Sequence, residues 1–241
     1  MSKIGYGYGS EYHLLRYLGY HRVELNGKVD EATGGRLINW LDFPYSVSPK
    51  SFYHAEWRGI SFLRRDDALL RDDALAAKVH EAWRSFWPQT GMPPSWDAVG
   101  VMNKAGATAW LLVEAKAHLG ELRRDCTAGP KAMPMIERAL ADTKEALGVA
   151  TDCDWGSPYY QFCNRIAVLH FLLEHGIAAD LLFVYSTGDH FSRNPAVVCP
   201  QSAGEWEPAV AAMHEHVGWP GNGALAPHVH ELFLPMHSLE G

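Results

Sequence analysis

The sequence predicts a mixed α/β domain, a central sheet flanked by helices. Three observations carry that prediction. First, "WLLVEAKAH", Trp110 to His118, opens with four apolar residues that would cover both faces of an extended chain, as in a strand buried on both sides. Second, "SWDAVGVMNKAGATAWLLVEAKAH" reads as two strands, Trp96 to Met102 and Ala109 to His118, joined by a Gly-containing turn, an antiparallel hairpin. Third, "SPYYQFCNRIAVLHFLLEHG" reads as a long helix, with Ser157 as its cap, Pro158 in its first turn and Gly176 at its end. An apolar strand, Ala179 to Ser186, follows it directly.

The remaining elements are placed from the N-terminus onward. In "SEYHLLRYLGYHR", Ser10 stands as an N-cap before Leu14, Leu15 and Leu18, which predicts a helix over residues 11–21. Residues 30–59 mix Gly, Pro and aromatics and read as an ordered insertion, with "GGRLINWL" as a short helix. "RDDALLRDDALAAKVHEAWRSFWP" carries Leu75, Val79, Ala82, Trp83 and Phe86 at helical spacing and stops at Pro88. "MPMIERALADTKEALG" reads as a surface helix. From residue 66 the order is therefore helix, strand, strand, helix, helix, strand.

Composition narrows the class. The chain has 241 residues, enough for one large domain with additions, and we expect a single domain over 1–241. It is 47% hydrophobic and 20% charged, and no apolar run approaches the roughly 20 residues that span a membrane. The N-terminus lacks the apolar core of a secretory signal, so a cytoplasmic location without membrane partners is expected. Cys126, Cys153, Cys163 and Cys199 are scattered without a CxxC pair and read as reduced and structural. A net charge of −7 excludes a broad basic coat for nucleic acid, so any such contacts must be local.

The chemistry lies in the hairpin. Glu114 and Lys116 are two apart in a strand, hence on one side of it, and Asp97 stands at the start of the preceding strand, where antiparallel pairing can bring it to them. Two carboxylates and the backbone carbonyl between them make a hard oxygen site suited to Mg²⁺, with Mn²⁺ as substitute. Lys116 would position a water or stabilise charge on a phosphate. A structural alternative makes Glu114 and Lys116 an edge-strand salt bridge and Asp97 a turn residue.

"SWDAVGV" followed by "WLLVEAKAH" resembles motifs II and III of the PD-(D/E)XK nuclease superfamily, over residues 90–190 and, weakly, the first helix. Ser95 and Trp96 stand where many members carry a proline before the aspartate. The resemblance implies a restriction-endonuclease-like αβββαβ core, placed at about residues 66–190 with the helix 10–21 packed on it and additions at both termini. It implies hydrolysis of phosphodiester bonds in DNA, with Asp97, Glu114 and Lys116 as catalytic residues and Asp97 and Glu114 as metal ligands. Gln161 and Arg165, one turn apart in "YYQFCNR", match the place where members carry a Gln or a basic residue beside the metal or phosphate; the alternative is a solvated polar face. Glu11 resembles a further metal ligand on the first helix of resolvase-like members, with Glu81 as competitor and a plain surface glutamate as the other possibility. Many members act as homodimers. The contrasting expectation is a catalytically silent module of the same fold that binds nucleic acid or protein, which the acidic charge favours.

Other motifs carry less. His214 with His216 and His228 with His230 lack the HExxH spacing and a cysteine partner, so they read as surface or core histidines rather than zinc ligands. "GYGYGS" does not follow a strand and does not match a nucleotide-binding glycine loop.

Overall fold

The computed structural model describes residues 7–43, 45–48, 51–54, 56–64, 72–190, 194 and 196–236. Its strands are β1 (Arg36–Trp40), β2 (Tyr45–Ser48), β3 (Ser51–His54), β4 (Trp57–Arg58), β5 (Ser95–Trp96), β6 (Ala98–Lys104), β7 (Ala107–Lys116), β8 (Ala179–Thr187) and β9 (Val229–Pro235). Its α-helices are α1 (Ser10–Tyr20), α2 (Arg22–Thr33), α3 (Asp73–Phe86), α4 (Met133–Leu147), α5 (Tyr160–Glu174) and α6 (Ala203–Val217). The part of the expected third helix that precedes residue 72 lies outside the described residues. No helix among the described residues is long and apolar enough to cross a membrane.

Five strands form one mixed sheet in the order β1-β6-β7-β8-β9. β6 runs antiparallel to both of its neighbours, β1 and β7, while β8 and β9 continue parallel to β7. β2 pairs with β3 and β4 with β5 in two small antiparallel ladders. The chain is thus α/β, with helices on both faces of a central sheet. The hairpin expected from the sequence is present, with Lys104 opposite Ala107. Its two central residues, Ala105 and Gly106, have φ of 51° and 82°, the left-handed pair that a two-residue hairpin turn requires.

Each face of the sheet has its own core. α1 and α2 cover one face through Leu14, Tyr17, Leu25 and Val29, packed with Met102, Leu111, Val113 and Val184. On the other face Trp83 of α3, Ile136 of α4, Ile166 of α5 and Trp206 of α6 pack with Val99, Leu112 and Phe183. Successive residues of β7 therefore alternate between the two cores. Glu114 and Lys116 share parity with Leu112, which directs them toward α5.

Several expectations need correction. "GGRLINWL" is not a helix: it forms β1, the edge strand of the sheet. A register shift between Leu37 and Asn39 adds a residue there, so that Leu37 and Trp40, three apart, both join the α1–α2 core. That spacing imitates helical periodicity. Gly9, not Ser10, stands at the N-cap of α1. Ser157 does not cap α5: Tyr159 occupies the N-cap, and the Ser157 hydroxyl donates to Asp125 at 2.6 Å. The helix α4 lies at the surface as expected, burying Ile136, Ala139, Leu140 and Thr143 on its inner stripe. The sheet also extends beyond residues 66–190 at both ends, taking β1 before and β9 after that range.

Candidate active site

Pairing in the hairpin decides where the acidic residues meet. Ala98 lies opposite Val113, and the backbone N–H of Asp97 donates to the Val113 carbonyl at 3.0 Å, so Asp97 and Glu114 come together at one end of the sheet. This is the carboxyl end of the parallel strands β7 and β8, where open α/β sheets place their ligands. A polar cavity of about 300 Å³ opens there, lined by Asp97, Glu114, Ala115, Lys116 and Gln161. A larger hollow of about 550 Å³, between residues 87–92 and 127–132, has a mostly apolar lining without carboxylates.

Glu114 is held on every side. Its Oε1 accepts from the Lys116 ammonium and from Gln161 Nε2 at 2.7 Å. Its Oε2 accepts from Arg165 Nε at 2.8 Å and lies 2.6 Å from Arg165 Nη2. Lys116 also donates to Gln161 Oε1 at 3.1 Å. The side chains of Glu114 and Arg165 are only 3% and 4% exposed, so this ion pair works without screening by bulk water. Arg165 is steadied further by its own neighbour, donating to Asn164 Oδ1 at 2.7 Å, and its guanidinium stacks 5.0 Å from the Trp96 ring centroid. Burial pushes the Glu114 carboxyl upward, but Arg165 and then Lys116 outweigh it and hold the group below the usual glutamate range.

Asp97 is the opposite case. Its Oδ2 accepts from the Ala115 backbone N–H at 2.7 Å, and among the described residues it has no ion-pair partner. Desolvation, followed by the nearby Glu114 charge, pushes its pKa up to about 8, with Lys116 opposing. One carboxylate of the pair is therefore neutralised by cations of the protein, whereas the other would take a proton or an added cation.

Among the described residues, no group of three or more His, Cys, Asp or Glu side chains is arranged to hold a metal ion. Asp97 and Glu114 alone still fit Mg²⁺, which commonly takes one or two carboxylates and keeps several waters. Glu11 lies in the first turn of α1 and does not line the cavity; its neighbour Ser10 does. Glu81, on α3, is paired at the surface with Arg84. Gln161 lines the cavity as expected, but Arg165 is absent from its lining and acts from behind, on Glu114.

The structure adds residues that the motifs did not name. Glu121, in the short turn after β7, accepts from the Ala117 N–H at 2.6 Å and lines the cavity together with Arg123, Arg124 and Glu56. Glu56 accepts from the Ser95 hydroxyl. The charged run "GELRRD" directly after the ExK strand is the signal that would have found three of these four. The histidine pairs bring no metal ligands together: His228 Nδ1 and His230 Nε2 lie 2.7 and 2.9 Å from the oxygens of buried Asp180, with the Lys104 ammonium at 2.5 Å. None of the four cysteines is in a disulfide.

Compared with protein-family models, with curated proteins and with solved structures, the chain matches none.

Proposed function

We propose that the chain is a metal-dependent nuclease-like protein that hydrolyses phosphodiester bonds in DNA, with Asp97 and Glu114 holding Mg²⁺ or Mn²⁺. The observation that carries this reading is the convergence of those two carboxylates with Lys116 in one polar cavity, Asp97 lacking the cation that Glu114 has. The order α1, β1, β6, β7, α5, β8 also supports it, since it follows the αβββαβ order that the PD-(D/E)XK resemblance implies.

Mg²⁺ held by Asp97 and Glu114 would lower the pKa of a water and stabilise charge on a phosphate oxygen. The residues of this chain do the rest. Asp97 would give up its proton to hold the ion. Arg165 fixes the orientation of Glu114, so that the ligand is preorganised. Lys116 keeps Gln161 Oε1 as an acceptor and so remains at the cavity when Glu114 Oε1 serves another cation. From there its ammonium can orient the attacking water or stabilise the transition-state charge.

One observation favours a second reading, a catalytically silent module of this fold that binds nucleic acid. The oxygens of Glu114 already accept four hydrogen-bonding contacts, which leaves Lys116 in a place where a cation would sit. Cleavage of plasmid and single-stranded DNA with Mg²⁺ or EDTA separates the two readings. We expect cleavage by the wild type with Mg²⁺ only, and its loss in Lys116→Ala by at least about 100-fold, on the scale of removing one transition-state donor. Mn²⁺ affinity should be kept or raised in that variant, because a competing cation is gone. DNA binding without cleavage under any divalent ion would favour the silent module.

A further inference from the structure

Arg123 and Arg124 raise a separate question, because two adjacent arginines line the same small cavity as the carboxylates in a chain of net charge −7. Both residues are exposed, and among the described residues neither is in an ion pair. Their backbone is nonetheless fixed. The Arg124 N–H donates to the Pro158 carbonyl, and the Arg124 carbonyl accepts from the Tyr160 N–H at 3.0 Å, which ties this stretch to the start of α5. The Arg123 guanidinium lies 5.8 Å from the centroid of the Tyr159 ring, a contact that orients it while leaving its N–H groups available. Arginine in such a position presents a planar fork of donors matched to phosphate oxygens.

We propose that Arg123 and Arg124 form a phosphate-binding subsite at the edge of the cavity, gripping a backbone phosphate of the nucleic acid beside the one at which Asp97 and Glu114 act. This rests on the nuclease reading for its substrate but not for its chemistry. The cavity is then divided by charge: carboxylates for a cation on the strands, guanidinium groups for an anion on the loop after β7. Such a local grip meets the requirement that an acidic protein hold DNA without a basic coat.

The test is the salt dependence of binding to a fluorescently labelled single-stranded oligodeoxynucleotide in EDTA, where the metal site plays no part. Each phosphate contact on a single strand contributes a slope of about 0.7 in log affinity against log salt, so Arg123→Ala/Arg124→Ala, which releases the one phosphate the pair grips, should be shallower by about 0.7. Arg123→Lys/Arg124→Lys should keep the wild-type slope, since it keeps both charges. An unchanged slope in the double alanine variant, or no oligonucleotide binding by the wild type, overturns the proposal. A wild type that shows the slope change but binds no Mn²⁺ in a parallel titration supports the subsite and removes the hydrolytic reading instead.

Discussion

Asp97→Asn is expected to lose Mn²⁺ binding by more than about 100-fold and to lose all cleavage, while its fold stays intact and its metal-free stability at neutral pH is kept or raised. The side chain keeps its shape and an oxygen to accept the Ala115 N–H, so the local backbone has no reason to move. What it loses is the ability to become an anion. In the metal-free wild type the Asp97 pKa is raised to about 8, so the group is already neutral at pH 7 and an amide costs little there. The sign of the pH dependence follows. A carboxyl whose folded pKa is raised contributes stability that is present below its unfolded pKa of about 4 and lost as pH rises through about 8. Ion and proton compete for the same oxygen, so wild-type Mn²⁺ affinity should climb by up to about tenfold per pH unit below 8 and level off above it. Isothermal titration from pH 6 to 9 reads both effects. Equal affinity in wild type and variant, or a flat profile, would remove Asp97 from the site.

Arg165→Ala is expected to be the most damaging single change to stability, by about 3–5 kcal/mol, because it leaves a buried carboxylate without its main counter-charge. Lys116 remains beside Glu114 but reaches only Oε1; both contacts to Oε2 come from Arg165. The stacking on Trp96 is lost as well. Removing the carboxylate at the same time should recover much of the loss, so Arg165→Ala/Glu114→Ala should be more stable than the sum of the two single variants. Urea denaturation of all four forms measures this coupling. A loss below about 1 kcal/mol for Arg165→Ala would mean that Glu114 is not buried as an ion. Arg165 is thus a positioning residue: its effect on DNA should pass through Glu114 rather than through direct contact with phosphate.

The sequence carried the centre of the fold better than its edges, for physical reasons. β6, β7, α5 and β8 were legible because each is long, apolar and bounded by turn residues. β1 reads as a helix in the sequence because its bulge sets Leu37 and Trp40 three apart. α2 was hidden by Asn26 and Gly27 and by a narrow stripe of Leu25, Val29 and Thr33. α6 was hidden by Pro208 within its first turns, although Trp206, Val210, Met213 and Val217 sit at helical spacing. In the site, Asp97, Glu114, Lys116 and Gln161 could be named because strand alternation and helix spacing are local rules. That Arg165 serves Glu114, and that Arg123 and Arg124 share the cavity, depends on how α5 and the loop after β7 pack against the sheet, which no local pattern encodes.

The central claim is that Asp97 and Glu114 share one divalent ion, and a crystal grown at pH 8.5 and soaked in Mn²⁺ tests it most directly. The account predicts an anomalous peak between the two carboxylates, at about 2.0–2.2 Å from a ligating oxygen of each, with the Lys116 ammonium withdrawn from Glu114 Oε1. An Mn²⁺-free site at that pH, with Lys116 still bound to Glu114, would contradict it.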